Sequence, residues 1–121
     1  MRILLVDDDI FMRAMVRMKI EALVCADIIE ANSAQEAIAK LKQQNIDIVI
    51  SDQWMEHDLG TDVLSHIREH TLTTCLFILF SSDKKFIAQF KQNKNCVAIP
   101  KPNLRQLVET VVGTCCINFF T

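Results

Sequence analysis

The feature that most constrains this chain is a set of short apolar runs, each stopping on a chemically loaded residue. The middle run is the most informative. Ile48, Val49 and Ile50 are the β-branched type that fills the centre of a parallel sheet, and the run ends on Asp52 before a loop that reaches Gly60. An Asp where a buried strand meets its loop lies on the carboxyl edge of the sheet, where open α/β folds place ligands and chemistry. Alone, it is as often a loop cap. Three other runs change that reading: Ile3–Val6 leads into Asp7, Asp8 and Asp9, Leu76–Phe80 stops at Ser81-Ser82-Asp83, and Cys96–Ile99 is followed by Pro100 and Lys101.

Helical periodicity fills the gaps between runs. A first helix is expected from Ile10 to about Leu23, with Phe11, Met15, Met18 and Ala22 along one face. A strand over Cys25–Glu30 follows, and Ser33 to Glu36 reads as a capping box opening a helix to about Gln44. Further helices fit Thr61–His70 and Lys84–Gln92, the second with Phe86, Ile87 and Phe90 on one side. Pro100 marks the fifth strand as an edge strand, because proline cannot donate to a central ladder. Asn103 is the expected N-cap of a last helix striped by Leu104, Leu107, Val108, Val111 and Val112, its final turn weakened by Gly113. Strands alternating with helices demand right-handed crossovers and a parallel sheet covered on both faces.

With 121 residues, half of them hydrophobic, one domain over residues 1–121 is expected. The longest apolar run, Cys75–Phe80, is far too short to span a bilayer, and no signal-peptide pattern opens the chain. The expectation is a soluble, cytoplasmic protein with no membrane partner. Residues 1–62 carry twelve acids against six bases, while the remainder carries three against seven. An acidic site in the first half thus faces counter-charge from the second, and nothing is basic enough to make nucleic acid a direct partner. Five cysteines show neither a CxxC pair nor metal-finger spacing. Cys25, Cys75 and Cys96 read as small hydrophobes in strand-like runs, and the pair Cys115–Cys116 as one inward and one outward thiol. His57, His66 and His70 read as surface residues. The apolar tail Ile117–Thr121 could pack or bind.

In a parallel sheet all strands end on one edge, so Asp7, Asp8, Asp52, Ser81 and Lys101 can converge. Crowded carboxylates repel unless protons or a cation relieve them, and oxygen-only donors favour Mg²⁺. With one lysine and one hydroxyl, the set suits a transferred phosphoryl group, Asp52 being the nucleophile that yields an acyl phosphate. Gly60 and Gly113 are the only glycines, so no glycine-rich phosphate loop exists to take ATP as direct donor.

These motifs, LLVDDD (Leu4–Asp9), VISDQWM (Val49–Met55) with Gly60, Ser81 after an apolar strand, and Lys101-Pro102, together resemble the receiver domain of two-component response regulators, close to the single-domain chemotaxis type. The resemblance spans Arg2 to about Gly113. It implies a flavodoxin-like five-stranded parallel sheet of order 2-1-3-4-5 with five helices. It makes Asp52 the phosphoacceptor and Asp7, Asp8, Asp52 and the Trp54 carbonyl the Mg²⁺ ligands. Ser81 and Lys101 would hold phosphoryl oxygens, and the Lys101–Pro102 bond would be cis. The donor would be a histidine kinase or histidine phosphotransfer protein and the output a contact with an unnamed downstream protein. Such a domain catalyses only its own phosphorylation and dephosphorylation and is no enzyme in the usual sense.

Departures from that pattern bear on regulation. Ala98 stands where an aromatic is usual, so no ring can swing there. Glu56 replaces a common proline, which is expected to loosen the loop. The segment from Ser81 to Lys101 is short, fitting an abbreviated fourth helix. Trp54 and Asp83, each two residues past a site residue, are placed to shelter an acyl phosphate and to influence its water, giving a long-lived phosphoryl group. Two alternatives stand beside this reading. One is an unphosphorylated docking module. The other is a haloacid-dehalogenase-like hydrolase with Asp7 as nucleophile and Asp9 as acid/base, although Phe11 sits where that class has Thr or Val.

Overall fold

The computed structural model describes residues 1–70 and 75–120; for residues 116–120 it describes the backbone alone. Five strands alternate with five helices: β1 (Arg2–Val6), α1 (Ile10–Glu21), β2 (Asp27–Ala31), α2 (Ala34–Gln43), β3 (Ile48–Ser51), α3 (Gly60–Glu69), β4 (Leu76–Ser81), α4 (Lys84–Gln89), β5 (Cys96–Pro100) and α5 (Leu104–Phe120). The strands form one parallel sheet in the order β2-β1-β3-β4-β5. Order reverses direction between β1 and β3, so the crevice at their carboxyl ends is the topological switch point.

Alternation along the strands sorts the core into two layers. Ile3, Leu5, Ile48, Ile50, Ile78, Phe80 and Ile99 pack with Val16 and Ile20 of α1 and Leu107 and Val111 of α5. Leu4, Val6, Val49, Phe77, Leu79 and Ala98 face the opposite way, onto α2, α3 and the aromatic side of α4. The central strands are buried on both faces, which explains why they read as unbroken apolar runs rather than alternating ones. Pro100 ends the edge strand β5, as its missing N–H requires.

Several local expectations change. β2 begins at Asp27 rather than Cys25, which is exposed. Cys75 and Cys96 are buried; burial pushes the Cys75 thiol up to about 12 and leaves it inert. The Phe11, Met15, Met18 and Ala22 stripe of α1 exists but faces solvent, because Val16 and Ile20 make the sheet contact. Only half of the capping box forms: Ser33 Oγ accepts from the Glu36 amide at 3.1 Å, and Asp58, from the loop before α3, takes the Ala34 and Gln35 amides at 3.0 and 3.1 Å. α4 ends at Gln89, one turn early, and α5 runs through Gly113 to Phe120. Asn103 caps α5 as expected, its Oδ1 accepting from the Gln106 amide at 3.1 Å. Cys116 and the tail side chains lie outside the described residues.

Candidate phosphoacceptor site

β1 and β3 are adjacent and in register, Val6 beside Ser51, so the residues that follow them project together beyond the sheet edge. Carboxylate oxygens of Asp7, Asp8 and Asp52 lie within 4.8 Å of one another. Lys101 arrives from the far side, immediately after β5. Its Nζ is 2.8 Å from Asp7 Oδ2 and 3.4 Å from Asp52 Oδ2, with the three side chains only 8–12% exposed. The Lys101–Pro102 peptide is cis. Burial pushes the Asp52 carboxyl above the usual range; Lys101 pulls it back, Asp7 pushes it further up, and the Gln53 amide bonded to Oδ1 lowers it. A partly buried carboxylate of raised basicity beside an ammonium is chemically a nucleophile with its counter-charge in place. The three carboxylates supply hard oxygen donors only and carry more negative charge than Lys101 balances, so the donor set fits Mg²⁺.

The surrounding loops fix these groups. Asp7 Oδ1 accepts the Asp9 amide at 2.9 Å, while the Arg13 guanidinium, tied to Glu30 at 3.1 Å, donates to the Asp7 carbonyl. Asp8 Oδ2 accepts the Glu56 amide at 2.9 Å. Glu56 therefore fastens its loop to the acid cluster through an N–H that a proline would lack, where sequence reasoning expected loosening. Asp9 is spent as the cap of α1, accepting from the Phe11 and Met12 amides at 2.9 and 3.2 Å.

Ser81 is fully buried at the end of β4, beside Pro100. Its Oγ accepts the Asp83 amide at 3.2 Å, and among the described residues no hydrogen bond joins it to Asp52. Trp54 follows Asp52 in the β3–α3 loop, its backbone paired with Leu59. Its indole is half exposed, donates to Asp83 Oδ2 at 3.0 Å and meets the Phe86 ring edge-on at 5.7 Å. The two positions singled out beside the site are thus bonded to each other.

Gln53 escaped sequence reasoning. It is buried beside Asp52 and spans to Thr61, its Oε1 accepting the Thr61 amide at 3.0 Å and its Nε2 donating to the Thr61 hydroxyl at 3.2 Å. It holds the start of α3 against the end of β3. A polar residue next to a strand-end Asp gives no sign from sequence that it points inward.

The response regulator receiver domain model matches residues 3–112. The chain belongs to the response regulator receiver family. Its fold is shared with the receiver domain of the hybrid histidine kinase CckA (25% identity, TM-score 0.76, covering 94% of this chain and 98% of that one). The response regulator TrrA of Thermotoga maritima, solved with Mg²⁺–BeF, is similar at 25% identity and a TM-score of 0.79 over 93% and 97% of the two chains. The chemotaxis regulator CheY4 of Vibrio cholerae shares the fold at 22% identity and a TM-score of 0.79 over 93% and 97%. Comparison with curated proteins gives no match.

As a receiver, the chain brings Asp7, Asp8, Asp52 and Lys101 together, with Ser81 at the end of the neighbouring strand β4 and Trp54 in the loop after Asp52. His66 is not a surface residue: it is buried on α3 and stacks on His70 at 4.1 Å between ring centroids. Among the described residues no helix is long and apolar enough to cross a membrane.

Proposed function

We propose that this receiver accepts a phosphoryl group on Asp52 from a phosphohistidine of a kinase or phosphotransfer protein, with Mg²⁺ required, and signals by protein contact. The observation that carries this is Lys101 Nζ lying between Asp7 and Asp52 at 2.8 and 3.4 Å. Lys101 offsets part of the effect of burial on the Asp52 carboxylate and stands ready to pair with the incoming phosphoryl oxygens. Asp52 Oδ attacks phosphorus as the N–P bond of the donor breaks and the imidazole leaves with the bonding pair. Ser81 supplies a hydroxyl to a phosphoryl oxygen. Asp7, Asp8, Asp52 and the Trp54 carbonyl are the residues that would hold Mg²⁺; when bound, it offsets charge on the carboxylates and the transferred group. The chain turns over no external substrate and belongs in the cytoplasm, where such donors act.

The outward stripe of α1 supports a protein donor. Ile10, Phe11, Met15 and Met18 are 42–81% exposed and begin one residue after the Asp7–Asp9 loop. An apolar surface beside the acceptor suits the helix that carries a phosphohistidine. Mapping the modified residue after exposure to acetyl phosphate tests the reading. Modification at Asp52 supports it, and modification at Asp7 favours the hydrolase alternative, which Asp9, held as a cap, already disfavours. A partner that binds modified and unmodified protein equally would favour the docking module.

A further inference from the structure

Asp83 holds three groups at once. Its amide donates to Ser81 Oγ at 3.2 Å, its Oδ1 accepts the Phe86 amide at 3.0 Å as the cap of α4, and its Oδ2 accepts the Trp54 indole at 3.0 Å. The hydroxyl end of β4, the first turn of α4 and the loop after Asp52 therefore meet on one residue. The Phe86 amide, and after it the indole, hold the Asp83 carboxyl below the usual range against partial desolvation, so it is ionised at neutral pH.

Resting on the phosphoacceptor reading, the coupling runs through Ser81. Its side chain is fully buried and water cannot replace a partner there. To donate to a phosphoryl oxygen on Asp52, the hydroxyl must turn toward β3, and turning withdraws Oγ from the Asp83 amide. That amide then seeks another acceptor and the Ser82–Asp83 turn rotates. The same rotation moves the carboxylate that caps α4 and holds the indole. Ala98, buried on β5 beside Leu79 of β4, has no side-chain rotamer to carry the signal instead.

We propose that Asp83 is the positioning residue that reports the state of Asp52: its bond to the Trp54 indole holds while Asp52 is unmodified and breaks when Asp52 is phosphorylated. Release of the indole also uncovers Phe86, against which it packs and which lies 6.1 Å from Phe90 between ring centroids. The α4 face is then altered by the chemistry at Asp52.

Trp54 is the only tryptophan, so one indole N–H resonance reports this bond. The experiment follows that resonance and its hydrogen exchange in the wild-type protein before and after acetyl phosphate with Mg²⁺, with intact mass read on the same sample. Asp83→Ala supplies the reference position of an unbonded indole. The expected result is a mass gain of one phosphoryl group, movement of the resonance toward the Asp83→Ala position, and indole exchange faster by about tenfold, the factor one ordinary hydrogen bond provides. A mass gain with an unmoved resonance overturns the Asp83 proposal and leaves the phosphoacceptor reading standing. No mass gain removes both. If Asp83→Ala does not fold, the exchange rate of the wild-type indole in the two states decides alone.

Discussion

Gly60 and Asp52 meet backbone to backbone. A Cβ at Gly60 would lie 2.1 Å from the Asp52 carbonyl oxygen and 3.0 Å from Ser51 Oγ, and no positive φ is involved. Space, not backbone freedom, requires glycine there, and no rotamer change relieves a clash with a carbonyl. Gly60→Ala is expected to destabilise the fold by about 3 kcal/mol, by forcing α3 off the end of β3. Phosphorylation by acetyl phosphate should slow as well. Urea unfolding and the initial rate check both; an unchanged midpoint and rate would contradict the packing account.

Lys101 is the counter-charge of a buried acid pair. Lys101→Met leaves Asp7 and Asp52 without it and should cost about 3 kcal/mol. Because a divalent ion relieves the same repulsion, the deficit should be smaller with millimolar Mg²⁺ than with chelator. Thermal melts with and without the metal measure this. Equal deficits in both would mean that Lys101 acts through packing.

Buried His66 gives the fold a pH dependence whose sign follows from its lowered basicity. Burial, then His70 just past the end of α3 and Lys42 on α2, lower its basicity, with Glu69 opposing. A histidine whose folded value lies below its ordinary one disfavours the fold when protonated. Stability should be full above about pH 6.5 and fall as pH drops from there through the lowered folded value. Between pH 7.5 and 5.5 the wild-type melting temperature should drop by about 3 °C more than that of His66→Gln. Parallel losses in the two proteins would refute this.

Trp54 lies in the loop that follows Asp52, tied to Asp83 and Phe86 while Asp52 is unmodified; once released, its indole can screen the acyl phosphate from water. Trp54→Ala should hasten loss of the phosphoryl group roughly fivefold, about 1 kcal/mol of barrier. Decay after removal of the phosphodonor measures it, and an unchanged half-life would remove the shielding role.

Much of this molecule is legible from the chain because the strands are buried on both faces and their ends must share one edge. Asp7, Asp8, Asp52, Ser81 and Lys101 are found by asking where each apolar run stops. What periodicity cannot decide is which of two apolar faces turns inward. On α1, Val16 and Ile20 compete with Phe11, Met15 and Met18, and register with the sheet, not hydropathy, settles it. Side chains that reach between loops are equally silent in sequence: Asp58 caps a helix twenty-four residues earlier, and Trp54 finds Asp83 twenty-nine residues later. Their partners exist only once the sheet edge has gathered the loops.

The central claim is that Asp52 takes up a phosphoryl group in the pocket shared with Asp7, Asp8 and Lys101. Intact-mass measurement after incubation with acetyl phosphate tests it most directly, run with Mg²⁺, with chelator, and on Asp52→Asn. The account predicts a gain of one phosphoryl group for the wild type with Mg²⁺ and none in the other two samples. An adduct on Asp52→Asn, or none on the wild type with Mg²⁺, would contradict it.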